Sequence, residues 1–257
     1  MTTWHLQTAH SIRFEWGPTG ATRLAPAVHA LVVVDVLSFT TSVTVAVDAG
    51  TRVYPYPWRD DTATAYAAQH TAEQAVGRRQ ATPESPWSLS PAALREAPFT
   101  PRLVLPSPNG SAISAAAGKD TPVIAAALRN ATAVGNWLAA HGYGTPDHPV
   151  AVIAAGERWP DGSLRPALED LLGAGAVINA LALALRRKAD GATLSPEAAT
   201  AATAYHHTED IKATVTTCAS GLELTEAGFA EDVAIATELD ASTTVPVLTD
   251  GAFTPAG

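Results

Sequence analysis

With a single cysteine among 257 residues, the chain has no means of forming an internal disulfide. A chain without that staple belongs by default to a reducing compartment, and cytoplasmic residence is the expectation. Positive charge is scarce as well: 16 Lys and Arg stand against 25 Asp and Glu, for a net charge of −9. The densest basic group, Arg186-Arg187-Lys188, reads as the solvated end of a helix, where cations complement the dipole. No nucleic acid is therefore expected as a partner. Long apolar runs are missing too. Residues 181–185 are the tail of a helix broken by Arg186, and residues 1–5 lack the basic-then-apolar order of a targeting segment, so no membrane partner is expected. There is no internal repeat, and no low-complexity tract beyond a general enrichment in alanine.

What the chain does have is apolar content, 47% of its residues, enough for a sizeable core. Four apolar runs each end in a polar or glycine-bearing turn followed by a helix-like segment. They are residues 31–36 closing on Asp35, 102–106 opening into Ser107-Pro108-Asn109-Gly110-Ser111, 122–126 leading to Arg129-Asn130, and 150–155 leading to Gly156-Glu157. Repetition of strand, turn and helix implies an α/β fold, here a single domain over residues 1–257. Its expected form is a three-layer α/β/α arrangement with a mostly parallel or mixed central sheet. Such a fold gathers reactive groups at the carboxyl edge of the sheet. Three of the turns offer helix N-terminal amides suited to an anion, so the expected ligand is a small phosphorylated acid.

Further elements follow from local pattern. Residues 4–10 and 11–16 alternate well enough for one or two strands before a turn at Gly17-Pro18. Residues 38–47 are rich in Thr and Val, but their place after a buried strand favours helix. A strand is expected at 51–56, then a helix with Ala65, Ala68, Ala72 and Ala75 on one face. Residues 77–101, with five prolines, read as a surface excursion or flap. Asn130 is placed to cap a helix over 131–141. Residues 166–188 are the clearest helix, with Pro166 in the first turn; another alanine-rich helix follows Ser195-Pro196-Glu197, and a last strand is expected at 244–248.

Several groups could carry chemistry. Asp35 closes an apolar strand, where a carboxylate must be paired, hydrogen-bonded or metal-bound; it is either a cap for the next helix or a metal ligand or catalytic carboxylate. Glu169 and Asp170 suit the first turn of a helix through its dipole alone, yet they lie between Leu168 and Leu171-Leu172, near the buried side. Together with Asp35 they would make the all-oxygen site that suits Mg²⁺ and phosphate chemistry. Ser107, Asn109, Gly110 and Ser111 form either an ordinary β-turn or an anion-binding loop. Familiar phosphate-handling devices are missing. There is no Gly-Lys-Ser/Thr core of a P-loop, no arginine six residues after Cys218, and no second aspartate two residues after Asp35; no Arg-His-Gly context surrounds His206-His207, and no histidine spacing suits zinc.

In this order, Val32-Val33-Val34-Asp35-Val36-Leu37, the segment from Ser107 through Asn109-Gly110 to Ile113, Ala154-Ala155-Gly156-Glu157, and Leu168-Glu169-Asp170-Leu171-Leu172-Gly173-Ala174-Gly175 resemble the 2-phosphosulfolactate phosphatases. So does a closing segment with Cys218-Ala219-Ser220-Gly221-Leu222-Glu223-Leu224, Gly228, Asp232-Val233 and Val245-Pro246. The resemblance implies an α/β fold of its own type, Mg²⁺ dependence, and hydrolysis of (R)-2-phospho-3-sulfolactate to sulfolactate and phosphate, best known as an early step of coenzyme M synthesis. It supports Asp35, Glu169 and Asp170 at a metal centre, Asp35 and Glu157 as catalytic groups, and Asn109, Gly110 and Asn130 for the substrate's anionic groups. One departure stands out: the family usually reads Val-Leu-Arg-Ala-Thr, whereas here Leu37 is followed by Ser38-Phe39-Thr40. Serine cannot supply an arginine's forked charge. Arg129 is the expected replacement, contributing to substrate binding with Ser38 from another wall. Alternatives to this activity are a same-fold phosphatase for a different phosphorylated acid and an inactive organic-acid-binding protein. The composition is also compatible with a homodimer.

Overall fold

A computed structural model describes residues 3–57, 61–117, 121–188 and 191–257. β1 (Ile12–Trp16) and α1 (Gly17–Leu24) lead to β2 (Ala30–Val34), α2 (Phe39–Asp48) and β3 (Arg52–Tyr56). Next come α3 (Asp61–His70), β4 (Glu73–Gln74), α4 (Pro91–Glu96), β5 (Arg102–Pro106), α5 (Gly110–Ser114), β6 (Val123–Ala126) and α6 (Ala131–Ala140). β7 (Val150–Ala154), the small hairpin β8 (Glu157–Arg158) and β9 (Leu164–Arg165), and α7 (Leu168–Lys188) follow. The chain closes with α8 (Pro196–His206), α9 (Ile211–Thr217), α10 (Ala219–Glu226), α11 (Ala230–Ala236), β10 (Pro246–Thr249) and β11 (Ala252–Pro255).

Nine strands form one mixed sheet in the order β1-β7-β2-β6-β10-β11-β3-β5-β4. β1, β7, β2 and β6 are parallel to one another, as are β3, β5 and β4. The antiparallel β10–β11 hairpin joins the two sets, through the pair Val247–Ile124 on one side and Phe253–Val53 on the other. Alternation along β2 shows why both faces must be covered. Val32 and Val34 enter a core with α6, α7 and α8, while Leu31 and Val33 enter another with residues of α1, α2 and α5. The result is the three-layer α/β/α fold expected from the sequence.

α2 is helical despite its Thr and Val content because its hydroxyls stay inside the helix. Thr41 Oγ1 donates to Val36 O at 2.7 Å and Thr44 Oγ1 to Thr40 O at 2.6 Å, so buried threonines carry their own partners. α7 presses on the β2 edge at Gly173, where a Cβ would sit 2.7 Å from Val36 and 2.8 Å from Val34. By length and composition α7 is long and apolar enough to cross a bilayer, which its sequence did not lead one to expect, but most of its apolar stretch is buried inside the molecule.

Local differences have local causes. Trp4–Leu6 is a 3-10 turn instead of a strand, and Gln7 folds back to bond both the N–H and the carbonyl of Phe14. Gly17-Pro18 starts α1 rather than a turn, since proline fits the first helical positions. α3 ends at His70 before a left-handed Thr71, leaving Ala72 and Ala75 outside it. α7 begins at Leu168, two residues after Pro166, and Leu168 is exposed. Residues 77–101 are not a free flap. Ser42 Oγ bonds Leu89 O, and Ser90 caps α4 through Ala93 N, so the segment is a strap fixed across α2.

Candidate active site

Beyond Val34 the chain turns through residues 35–38 into α2. Asp35 is buried, and its Oδ1 accepts the Phe39 N–H at 3.1 Å. Its backbone is locked as well: Asp35 N donates to Thr40 Oγ1, and Asp35 O accepts from Thr40 N, each at 2.9 Å. The helix-capping role weighed from sequence is therefore real, but it does not satisfy the group. Burial pushes the Asp35 carboxyl up to about 6, and Glu169 adds to the rise; the N–H groups of Phe39 and Gly110 and the charge of Arg78 oppose it. The influence of Gly110 on that carboxyl places the turn after β5 beside the end of β2. Only glycine fits at 110, because a Cβ would lie 2.1 Å from the Phe39 ring.

Other acids converge on the same place. Asp170 Oδ1 accepts from Val36 N at 2.7 Å and Oδ2 from Gly156 N at 2.8 Å, tying the turn after β2 to the turn after β7. Burial raises its pKa well above the usual range, with Glu169 and Asp35 contributing. Glu157 opens β8 and is half-buried. Its carboxyl is pushed up to about 8, first by burial and then by Asp35 and Glu169, with Arg165 opposing. Glu169 is buried and its Oε2 accepts the Cys218 S–H at 3.3 Å. That thiol is itself raised to about 11 by burial and by Glu169, so Cys218 acts as a neutral structural donor. Beside Glu157 opens a cavity of about 260 Å³, lined also by Asn109, Arg158 and Ser163.

The remaining expected site residues divide. Asn109 is at the site but engaged: Nδ2 donates to Gly156 O and Oδ1 accepts from Arg158 Nε, each at 3.0 Å. Ser107 is buried with its N–H on Tyr56 O, and Ser111 Oγ is buried without a protein partner. Ser38 is buried beside Asp35 and accepts from Arg78 Nη2 at 2.5 Å. Asn130, expected at the substrate, is engaged within the fold instead. It is wholly buried, and its side chain bonds Ala127 N, Ala125 O and Thr244 O, so it does not cap α6 but pins β6 to the chain entering β10. Arg129 is likewise engaged elsewhere. It pairs with Glu238, lies 3.8 Å from Asp48, and borders a separate cavity of about 410 Å³. The cation that does reach Ser38 is Arg78, anchored at 3.0 Å by Asp232. Sequence reasoning missed Arg78, since 40 positions separate it from Ser38 and 154 from Asp232, with no motif around it.

Among the described residues, no three His, Cys, Asp or Glu side chains are grouped as a ready metal-binding set. Asp170 accepts one backbone N–H on each oxygen, so in this structure it ties the two turns together. Asp35 and Glu169 do suit a hard cation. They are buried oxygen donors that repel each other and lack a full counter-charge, the imbalance a divalent ion relieves. A search of the curated proteins finds no match. The family model described as 2-phosphosulpholactate phosphatase, however, matches residues 21–251, a span that holds every group named at this site. The chain therefore belongs to the 2-phosphosulpholactate phosphatase family, a family of phosphoric monoester hydrolases.

Proposed function

We propose that the chain hydrolyses a small phosphomonoester carrying a second anionic group, with (R)-2-phospho-3-sulfolactate and water giving (R)-3-sulfolactate and phosphate. The observation that carries this is the meeting of Asp35, Glu157 and Glu169 where β2 and β7 end, inside the span matched by the family. Mg²⁺ is the proposed cofactor; Asp35 and Glu169 would hold it, and when bound it supplies positive charge against the phosphate. Asp170 fixes the two turns that carry Asp35 and Glu157. Glu157 keeps its proton up to about pH 8 and is the group that delivers it to the leaving alkoxide oxygen. Burial is the main cause of that shift, and the charges of Asp35 and Glu169, which a cation would offset, add to it. Hydrolysis of a different phosphorylated acid is favoured by one observation, the Ser38–Arg78 pair that stands where the family usually has its arginine.

The test is phosphate release from a panel of phosphomonoesters, with and without Mg²⁺, for the wild type and Asp35→Asn. Mg²⁺-dependent release is expected, greatest for esters with a second anion. It should fall at least about 100-fold in Asp35→Asn, the loss typical of a main electrostatic group, while the protein stays folded. Near-wild-type turnover by Asp35→Asn would remove Asp35 from the reaction. No release from any ester by the wild type would leave an organic-acid-binding protein as the better account.

A further inference from the structure

We infer that Arg78, delivered by the strap at residues 77–101, is the arginine that grips the anionic group of the substrate beside Asp35. The inference rests on the proposal that Asp35 marks a phosphoester site, and it assigns the cation of that site to a segment outside the sheet edge.

Arg78 stands in the 3-10 turn Arg78–Gln80, and its guanidinium is held on three sides. Nε donates to Asp232 Oδ2 at 3.0 Å, Nη2 donates to Ser38 Oγ at 2.5 Å, and the group lies 5.8 Å from the centre of the Phe229 ring. Asp232 is itself immobilised, because its Oδ1 takes the Ser90 hydroxyl at 2.5 Å and the Ala92 N–H at 3.2 Å. The anchor thus fixes the Nε edge and turns the rest of the fork toward the start of α2. Its charge is felt by the Asp35 carboxyl, and its side chain stays 16% exposed, so it is open to a ligand. A planar guanidinium has five N–H donors, and a phosphate or sulfonate takes two of them side by side.

Three other arginines are otherwise engaged. Arg165 makes two bonds to Glu223, Arg158 bonds Asn109 and Gly162, and Arg129 is turned toward Glu238 and Asp48. Ser38 completes the case, since its small side chain leaves the space the guanidinium fills. A site with three acids and an orientated arginine has what a phosphoester needs: oxygen ligands for a cation and a separate fork for the anion.

Two measurements test this on the whole chain with Mg²⁺ present: calorimetric binding of inorganic phosphate, and steady-state kinetics on the best ester of the panel. Arg78→Ala should weaken phosphate binding and raise KM by about 10- to 100-fold, the range for a lost charge-assisted bond, with a much smaller change in kcat. Arg78→Lys should recover part of the loss, and adding Ser38→Arg to Arg78→Ala should restore more by returning the fork from the adjacent position. If Arg78→Ala does not fold, Arg78→Gln, which keeps a donor but no charge, should show the same losses. Phosphate affinity and KM within about twofold of wild type in these variants would make Arg78 a tie for the strap and overturn the inference. A wild type that binds phosphate through Arg78 but hydrolyses no ester would uphold the anion grip and refute the hydrolytic proposal. A wild type that neither binds phosphate nor hydrolyses an ester would overturn both.

Discussion

A buried arginine must keep its counter-ions close, and Arg129 keeps two, Glu238 and Asp48. Glu238 is in turn bonded by Arg95, so the group is a charged rivet between the chain after β6, the end of α2, α4 and the chain after α11. Arg129→Ala should therefore lower stability by about 2 kcal/mol, through lost hydrogen bonds and a lost ion pair, and leave KM within about twofold. Denaturant melts and kinetics on the same preparation separate the two effects; a large rise in KM with unchanged stability would return Arg129 to the substrate. The sequence pointed to an arginine compensating for Ser38 but named the nearest in motif order. The acids were legible because each breaks an apolar pattern: Asp35 at a strand end, Glu169 and Asp170 among leucines. Arg78 breaks no pattern, and only the folded strap brings it to Ser38.

α5 meets α2 closely at one point of the site. Gly110 faces the Phe39 ring, which is fully buried and meets Phe253 edge-on at 6.2 Å. Gly110→Ala should force the ring aside and carry the Gly110 N–H away from Asp35. A stability loss of about 1–3 kcal/mol, the usual range for overpacking, should accompany a fall in kcat/KM. Phe39→Leu added to Gly110→Ala should recover much of the stability, and a failure of that double variant to melt higher would show that the ring is not the obstacle. Interior strands with parallel partners were the readable ones. β2, β5, β6 and β7 are apolar runs with a turn after each, and α2 was identified from its place despite strand-like residues. Where pattern depends on tertiary partners, it misled. Residues 4–6 alternate but form a turn held through Gln7, and the proline-rich strap hides α4 and the contacts that fix it.

Across the whole molecule the site acids set a pH dependence of folding. Asp35 moves from 3.8 to about 6 and Glu157 from 4.5 to about 8, both upward and both chiefly through burial. Between the ordinary and the raised values the folded state binds more protons than the unfolded one, so stability falls with rising pH in that window. Without added metal, the melting temperature is expected to decline from about pH 4 to about pH 8, and Glu157→Gln should flatten the upper half of that decline. Thermal melts across this range check it, and a melting temperature that rises from pH 5 to 8 would contradict the buried-acid account. The sheet's connectivity carries a different consequence, one of timing. The hairpin that splices its two parallel sets is drawn from residues 246–255, which are made after every strand of both sets. Until they emerge, β6 and β3 each present a bare hydrogen-bonding edge, the kind of surface on which nascent chains pair with one another. For this protein the interval before the hairpin emerges is the one in which a chaperone has most to do.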